Sequence, residues 1–127
     1  MSRHDADQMV LDGVQIAYTD GSANVTRIKR VDGHISWRYE PVSRQQSSSG
    51  FYSGGEAAEG RMSFEAFDTI WEKMSALLDA EGKEPDGSLR MGVGWFHIRI
   101  KEDKRSFMVE SSKALHEFEV ALKAACI

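Results

Sequence analysis

The stretch from Phe64 to Leu78 constrains the fold of this chain more than any other. Phe64, Phe67, Ile70, Trp71, Met74, Leu77 and Leu78 recur at helical spacing on one stripe, the pattern of a helix with one face against a core. Ser63 stands at the N-cap position, and Met62 and Phe67 occupy the two positions of a hydrophobic staple. Glu65 and Asp68 suit the positive end of the helix dipole, and Gly82 provides a stop. The spacing predicts a helix over residues 64–81 with Trp71 in the core. Such a helix draws its stability from packing on another element, so the rest of the chain must supply an apolar surface.

That surface reads as a sheet. Gln8 to Tyr18 is a strand interrupted near Asp12-Gly13, with Val14, Ile16 and Tyr18 alternating. Val25 to Val31 is a second strand. Asp32-Gly33 is a strong hairpin signal, because a type I′ turn needs positive φ at both central residues. On the return strand Ile35, Trp37 and Tyr39 share one face, Ser36, Arg38 and Glu40 take the other, and Pro41 ends it. Beyond the helix, Pro85-Asp86-Gly87 is a turn and Leu89 to Ile100 a long strand. Lys101 to Lys104 closes a hairpin, and Arg105 to Glu110 returns. Ser111 or Ser112 caps a last helix carrying Leu115, Phe118, Leu122 and Ala125. The order βββ-long loop-α-ββ-α predicts an α+β fold, an antiparallel sheet of about five strands with two helices packed on one face. In the strand over 89–100, Met91, Val93 and Trp95 point one way and Phe96, Ile98 and Ile100 the other. Both of its faces are therefore expected to be covered, the second by the loop, by the N-terminal segment, or by another subunit.

At 127 residues the chain is expected to form one domain over 1–127, with residues 1–7 disordered. Its net charge of −4 favours solubility and says little about partners. The charge is uneven. Residues 56–84 carry 8 acidic against 3 basic side chains, while residues 25–46 carry 5 basic against 2 acidic, so a polarised surface is open to the fold. A single cysteine, Cys126, can form no internal disulfide, which fits a reducing compartment. The polar start of the chain lacks a secretory signal, and no run of about 18 apolar residues suggests a membrane span. A cytoplasmic protein of bacterial type is expected, with no membrane partner.

Between Ser43 and Arg61 neither a helical nor a strand period is visible. Structureless connections longer than about 12–15 residues are uncommon in compact domains and are usually functional or disordered. Phe51 and Tyr52, inside Ser47-Ser48-Ser49-Gly50-Phe51-Tyr52-Ser53-Gly54-Gly55, argue against plain disorder. This 43–61 segment is the expected binding loop, with Arg44, Ser49, Gly50, Phe51, Tyr52, Ser53 and Arg61 as candidate binding residues. The two arginines at its ends are placed to pair with an anion.

No catalytic constellation is legible. His4, His34, His97 and His116 include no pair at i+3 or i+4, and no Cys/His cluster is present; no metal or cofactor site is expected. The serines of the loop lie in no nucleophile elbow. Cys126, next to the C-terminus, reads as a packing residue rather than a nucleophile. Arg27, Lys29, Arg30, Arg38 and Arg99 fall on strands near Trp37, Tyr39 and Trp95, which has the chemistry of an RNA platform. The acidic net charge, and aromatics that alternate away from Arg38, make nucleic acid an unexpected partner. The expectation is a non-enzymatic protein-interaction or regulatory domain, engaging a protein partner or forming a homodimer. Small acidic immunity proteins act in this way, an analogy of class and not of matched motifs. The alternative is a domain that binds a small molecule or anion, or an enzyme acting on one, with the 43–61 loop as a lid.

Overall fold

The structure, a computed structural model, describes residues 13–42, 55–85 and 93–126. The elements run β1 (Val14–Thr19), β2 (Val25–Val31), β3 (His34–Glu40), β4 (Ala58–Arg61), α1 (Phe64–Glu81), β5 (Gly94–Ile100), β6 (Asp103–Val109) and α2 (Lys113–Ala125). The six strands form one antiparallel sheet in the order β4-β3-β2-β1-β5-β6. The α+β class and the alternation of hairpins with helices are as the sequence predicts.

Local chemistry explains the boundaries. The β2–β3 hairpin turns on Asp32 and Gly33, both at positive φ (54° and 75°), as a type I′ turn requires. Helix α1 opens where Ser63 Oγ accepts a hydrogen bond from the Ala66 N–H at 3.1 Å. Its C-cap, Gly82, is not left-handed; its φ is −67°. Glycine is needed there because a Cβ would lie 2.5 Å from the Leu78 carbonyl oxygen. Helix α2 is capped by Ser112, whose Oγ accepts from the Leu115 N–H at 3.1 Å.

One strand was not legible. Residues 58–61, expected to belong to the long loop, form β4 and pair with β3. Ala58-Glu59-Gly60-Arg61 lacks the β-branched and aromatic residues that mark strands. Its place is fixed from across the sheet. Gly60 stands opposite Trp37, and a Cβ on Gly60 would lie 3.0 Å from the indole. The aromatic ring thus covers a glycine at the sheet edge. The remaining loop residues, 43–54, and the N-terminal segment lie outside the described residues, as do Leu89 to Gly92.

The two helices pack against each other and share one core with one face of the sheet. Phe67, Ile70, Met74 and Leu77 of α1 and Leu115, Phe118 and Leu122 of α2 are buried with Val14, Ile16, Tyr18, Ile28, Ile35, Trp37, Phe96 and Val109. Tyr18, Phe96 and Phe118 meet with ring centroids 4.8–5.3 Å apart. Trp71, expected inside, is instead half-buried at the edge of this cluster, stacked on Phe67 at 6.0 Å. Arg30 is the exception in the core. Its side chain is 2% exposed and its guanidinium lies about 5 Å from the Phe64 and Phe67 ring centroids. Asp68 is 4.0 Å away, and Arg30 Nη1 has no hydrogen-bond partner among the described residues.

Strand β5 departs from the two-sided apolar pattern. Phe96, Ile98 and Ile100 face the helices, whereas Trp95 shares the opposite face with exposed His97 and Arg99. Only the entrance to β5, at buried Val93 and half-buried Trp95, keeps apolar cover.

These positions predict unequal costs. Phe67→Ala should destabilise by about 3–5 kcal/mol, and Trp71→Ala by clearly less, as urea midpoints would show. Equal losses would put Trp71 back in the core. Arg30→Met should leave stability within about 1 kcal/mol of wild type or raise it, because a buried cation with an unmet donor is replaced by apolar volume. A loss of several kcal/mol in the same titration would show that the aromatic sandwich outweighs desolvation.

Candidate functional site

The sheet face turned away from the helices is built by strand register. One row crosses all six strands: Arg61 opposes Ser36, Ser36 opposes Lys29, Lys29 opposes Gln15, Gln15 opposes Arg99 and Arg99 opposes Lys104. With neighbouring strands about 4.8 Å apart, the row is roughly 24 Å long. All six side chains are exposed. None of the four cations forms an ion pair among the described residues; Arg99 Nε donates to the Lys101 carbonyl at 3.0 Å.

The adjacent row is Glu59, Arg38, Arg27, Ala17, His97 and Ser106. Here the charges are partly compensated. Arg38 pairs with Glu59 at 3.8 Å and Arg27 with Glu40 at 3.2 Å, both solvent-exposed and each worth at most about 1 kcal/mol. His97 Nδ1 lies 2.8 Å from Ser106 Oγ. The third row, Glu40, Val25, Thr19, Trp95 and Met108, is mostly uncharged. Positive charge therefore rises across the face toward the Arg61–Lys104 row. A shallow groove of about 330 Å³ follows β1 with Ala17 on its floor, between Arg27 and Lys29 on one side and His97 and Arg99 on the other.

Among the described strand residues this face carries six cations, Arg27, Lys29, Arg38, Arg61, Arg99 and Lys104, against Glu40 and Glu59, a net of +4. Helix α1, on the other side of the sheet, carries Glu65, Asp68, Glu72, Asp79 and Glu81 against Lys73, a net of −4. The uneven charge of the sequence thus becomes a two-sided molecule.

Of the candidate binding residues, Arg61 joins the basic row, while Arg44, Ser49, Gly50, Phe51, Tyr52 and Ser53 lie outside the described residues. Of the basic residues considered for nucleic acid, Arg27, Lys29, Arg38 and Arg99 share the open face, and Arg30 is buried on the other. Trp37 and Tyr39 belong to the helix side, leaving Trp95 as the aromatic of the open face. Lys104 and Gln15 were missed. Their membership follows from pairing between distant strands, and strand alternation alone could have placed each on a face but not in a row.

On the helix side a larger cleft, about 600 Å³, opens between α2 and the β1–β3 part of the sheet. Tyr18 reaches into its wall and donates a hydrogen bond to Glu119 Oε2 at 2.9 Å. Burial first, and then the Glu119 and Asp20 carboxylates, push the Tyr18 phenol well above its usual range. Asp20 is itself committed to the β1–β2 turn, accepting from the Ser22 and Asn24 N–H groups at 2.9 and 3.0 Å. Buried Asn24 in turn accepts from the Val42 N–H at 2.9 Å. Cys126 lines the same cleft, and burial pushes its thiol up to about 11, so it is protonated at neutral pH and a weak nucleophile. Among the described residues no group of three or more histidine, cysteine or carboxylate side chains converges on a point where a metal could be held. No described helix is long and apolar enough to cross a membrane.

No protein family matches the chain, and neither does any curated protein or solved structure. The reading of function rests on the surfaces themselves.

The Tyr18 phenol predicts an alkaline limb of stability. Its ionisation is suppressed in the folded chain, so the unfolded chain alone loses this proton near pH 10. Stability is unaffected below that pH and falls above it, by up to about 1.4 kcal/mol per pH unit. Tyr18→Phe should remove most of this slope, seen by comparing urea midpoints at neutral and strongly alkaline pH. An unchanged slope would assign it to other groups.

Proposed function

We propose that this chain is a non-enzymatic protein-interaction domain whose open sheet face receives an acidic surface of another protein. The observation that carries the reading is the uncompensated row from Arg61 to Lys104 on an exposed, regular sheet. Four cations fixed at strand spacing, with no neighbouring carboxylate on their row, repel one another and gain most from an external anion. Such an array steers a complementary partner and raises its association rate at low ionic strength.

Protein is favoured over nucleic acid by two features. Among the described residues the face holds one Trp, Tyr or Phe side chain, half-buried Trp95, where single-strand binding rests on exposed aromatics for base stacking. The chain as a whole is acidic, and the strongly negative α1 would oppose a long polyanion passing around the domain. A different protein is favoured over a second copy. Joining the acidic α1 side of one copy to the basic sheet of the next is a heterologous contact, which builds rings or open chains rather than a two-fold dimer. Among the described residues Val120 is the one large apolar side chain strongly exposed, so an apolar self-association patch is not on view there.

The test is capture of a partner from the native host by wild-type protein and by the Lys29→Glu/Arg99→Glu variant. Capture by wild type should weaken with added salt, and the double reversal should abolish it while circular dichroism and melting stay unchanged. Equal capture by the folded variant would remove the sheet face from consideration. Tight, salt-sensitive anisotropy changes with a single-stranded oligonucleotide, lost in the same variant, would replace the protein partner by nucleic acid.

A further inference from the structure

We infer that the cleft between α2 and the β1–β3 part of the sheet is a binding site for a small organic ammonium ion carrying an apolar or aromatic group. It lies on the opposite side of the sheet from the basic face and does not depend on the protein-docking reading. At about 600 Å³ the cleft is of the size that holds small ligands.

Its lining specifies the chemistry. Tyr18, Trp37 and Tyr39 of the sheet and Val120 and Leu122 of α2 contribute aromatic and aliphatic surface. Val120, 55% exposed, is the strongly exposed large apolar side chain among the described residues, and it belongs to this wall. Glu119 supplies the charge. Its Oε2 is held by the Tyr18 hydroxyl at 2.9 Å, which fixes the carboxylate in place. Its Oε1 has no hydrogen bond among the described residues. Asp20 adds a second negative charge at the cleft, although its oxygens are occupied by the turn.

Aromatic rings attract cations through their negative faces, and a positioned carboxylate adds a charge-assisted hydrogen bond. Lys123 and His116 also line the cleft. Both are exposed, and Lys123 can turn its ammonium into water, whereas the Tyr18–Glu119 pair is part-buried. The cleft therefore selects an ammonium over a carboxylate of the same shape. The neutral thiol of Cys126 adds no charge to that balance.

The experiment uses the full chain with Trp71→Phe and Trp95→Phe, so that Trp37 is the sole tryptophan and can be excited selectively over the tyrosines. Probes are phenethylammonium, tetramethylammonium and the anion 3-phenylpropionate, which carries the same phenethyl group. Saturable change in Trp37 emission is expected with phenethylammonium, weaker change with tetramethylammonium and none with the anion. Glu119→Gln should weaken phenethylammonium binding by about tenfold or more, the scale of one lost charge-assisted contact. Tyr18→Phe, which frees the carboxylate without removing it, should weaken binding by less. Calorimetric titration of the chain with its native tryptophans guards against a misfolded reporter. Absence of saturation with either cation, equal binding of the anion, or full affinity in folded Glu119→Gln would overturn the inference. None of these outcomes bears on capture of a protein by the sheet face.

Discussion

The architecture depends on a constraint of strand geometry: side chains alternate across a sheet, and two helices packed together can cover one face of it. Every strand that crosses the sheet must then be apolar on alternate residues and polar on the others. Val14, Ile16 and Tyr18 of β1, Ile35 and Trp37 of β3, and Phe96 of β5 obey it on the covered side. Gln15, Lys29, Ser36, Arg61, Arg99 and Lys104 obey it on the open side. The polar half of the pattern need not be cationic to satisfy folding. That it is cationic, while α1 is acidic, is a property the fold permits and does not demand.

Arg30 shows what happens where the alternation is broken. It stands on the covered face of β2, opposite Ile35, so its charge cannot reach bulk water. The fold accommodates it between two phenylalanine rings and near one carboxylate. Phe64 and Phe67 come from the first turn of α1, so the cation also bears on where that helix begins relative to the sheet.

Much of this was legible from the chain. The limits of α1 follow from its apolar stripe, Ser63 and Gly82, all local signals. The β2–β3 hairpin follows from Asp32-Gly33 for the same reason. Strand β4 was not legible, since what holds Gly60 in place is Trp37, more than twenty residues earlier. The double-sided apolar reading of the strand before Ile100 held only at Val93 and Trp95, because the side chains that follow on that face are His97 and Arg99. The basic row was half legible. Alternation puts Arg27, Lys29, Arg38 and Arg99 on a common face once the strands are known. Joining Arg61 to Lys104 requires the register of every strand between them. The cleft was illegible, being assembled from a turn, four strands and most of the length of α2.

The edges of the sheet limit how a partner can approach. On one side β4 has four residues, two of them the charged Glu59 and Arg61 and a third the glycine covered by Trp37. On the other, the backbone of Lys83, just beyond α1, exchanges hydrogen bonds with Met108 of β6 at 2.8 and 2.9 Å, so part of that rim is already paired. Short, charged or occupied edges discourage the addition of foreign strands. A six-stranded sheet with one face in water would ordinarily invite both aggregation and recognition through its main chain. If the open face binds as proposed, recognition falls to its side chains and to charge, and not to the addition of a seventh strand.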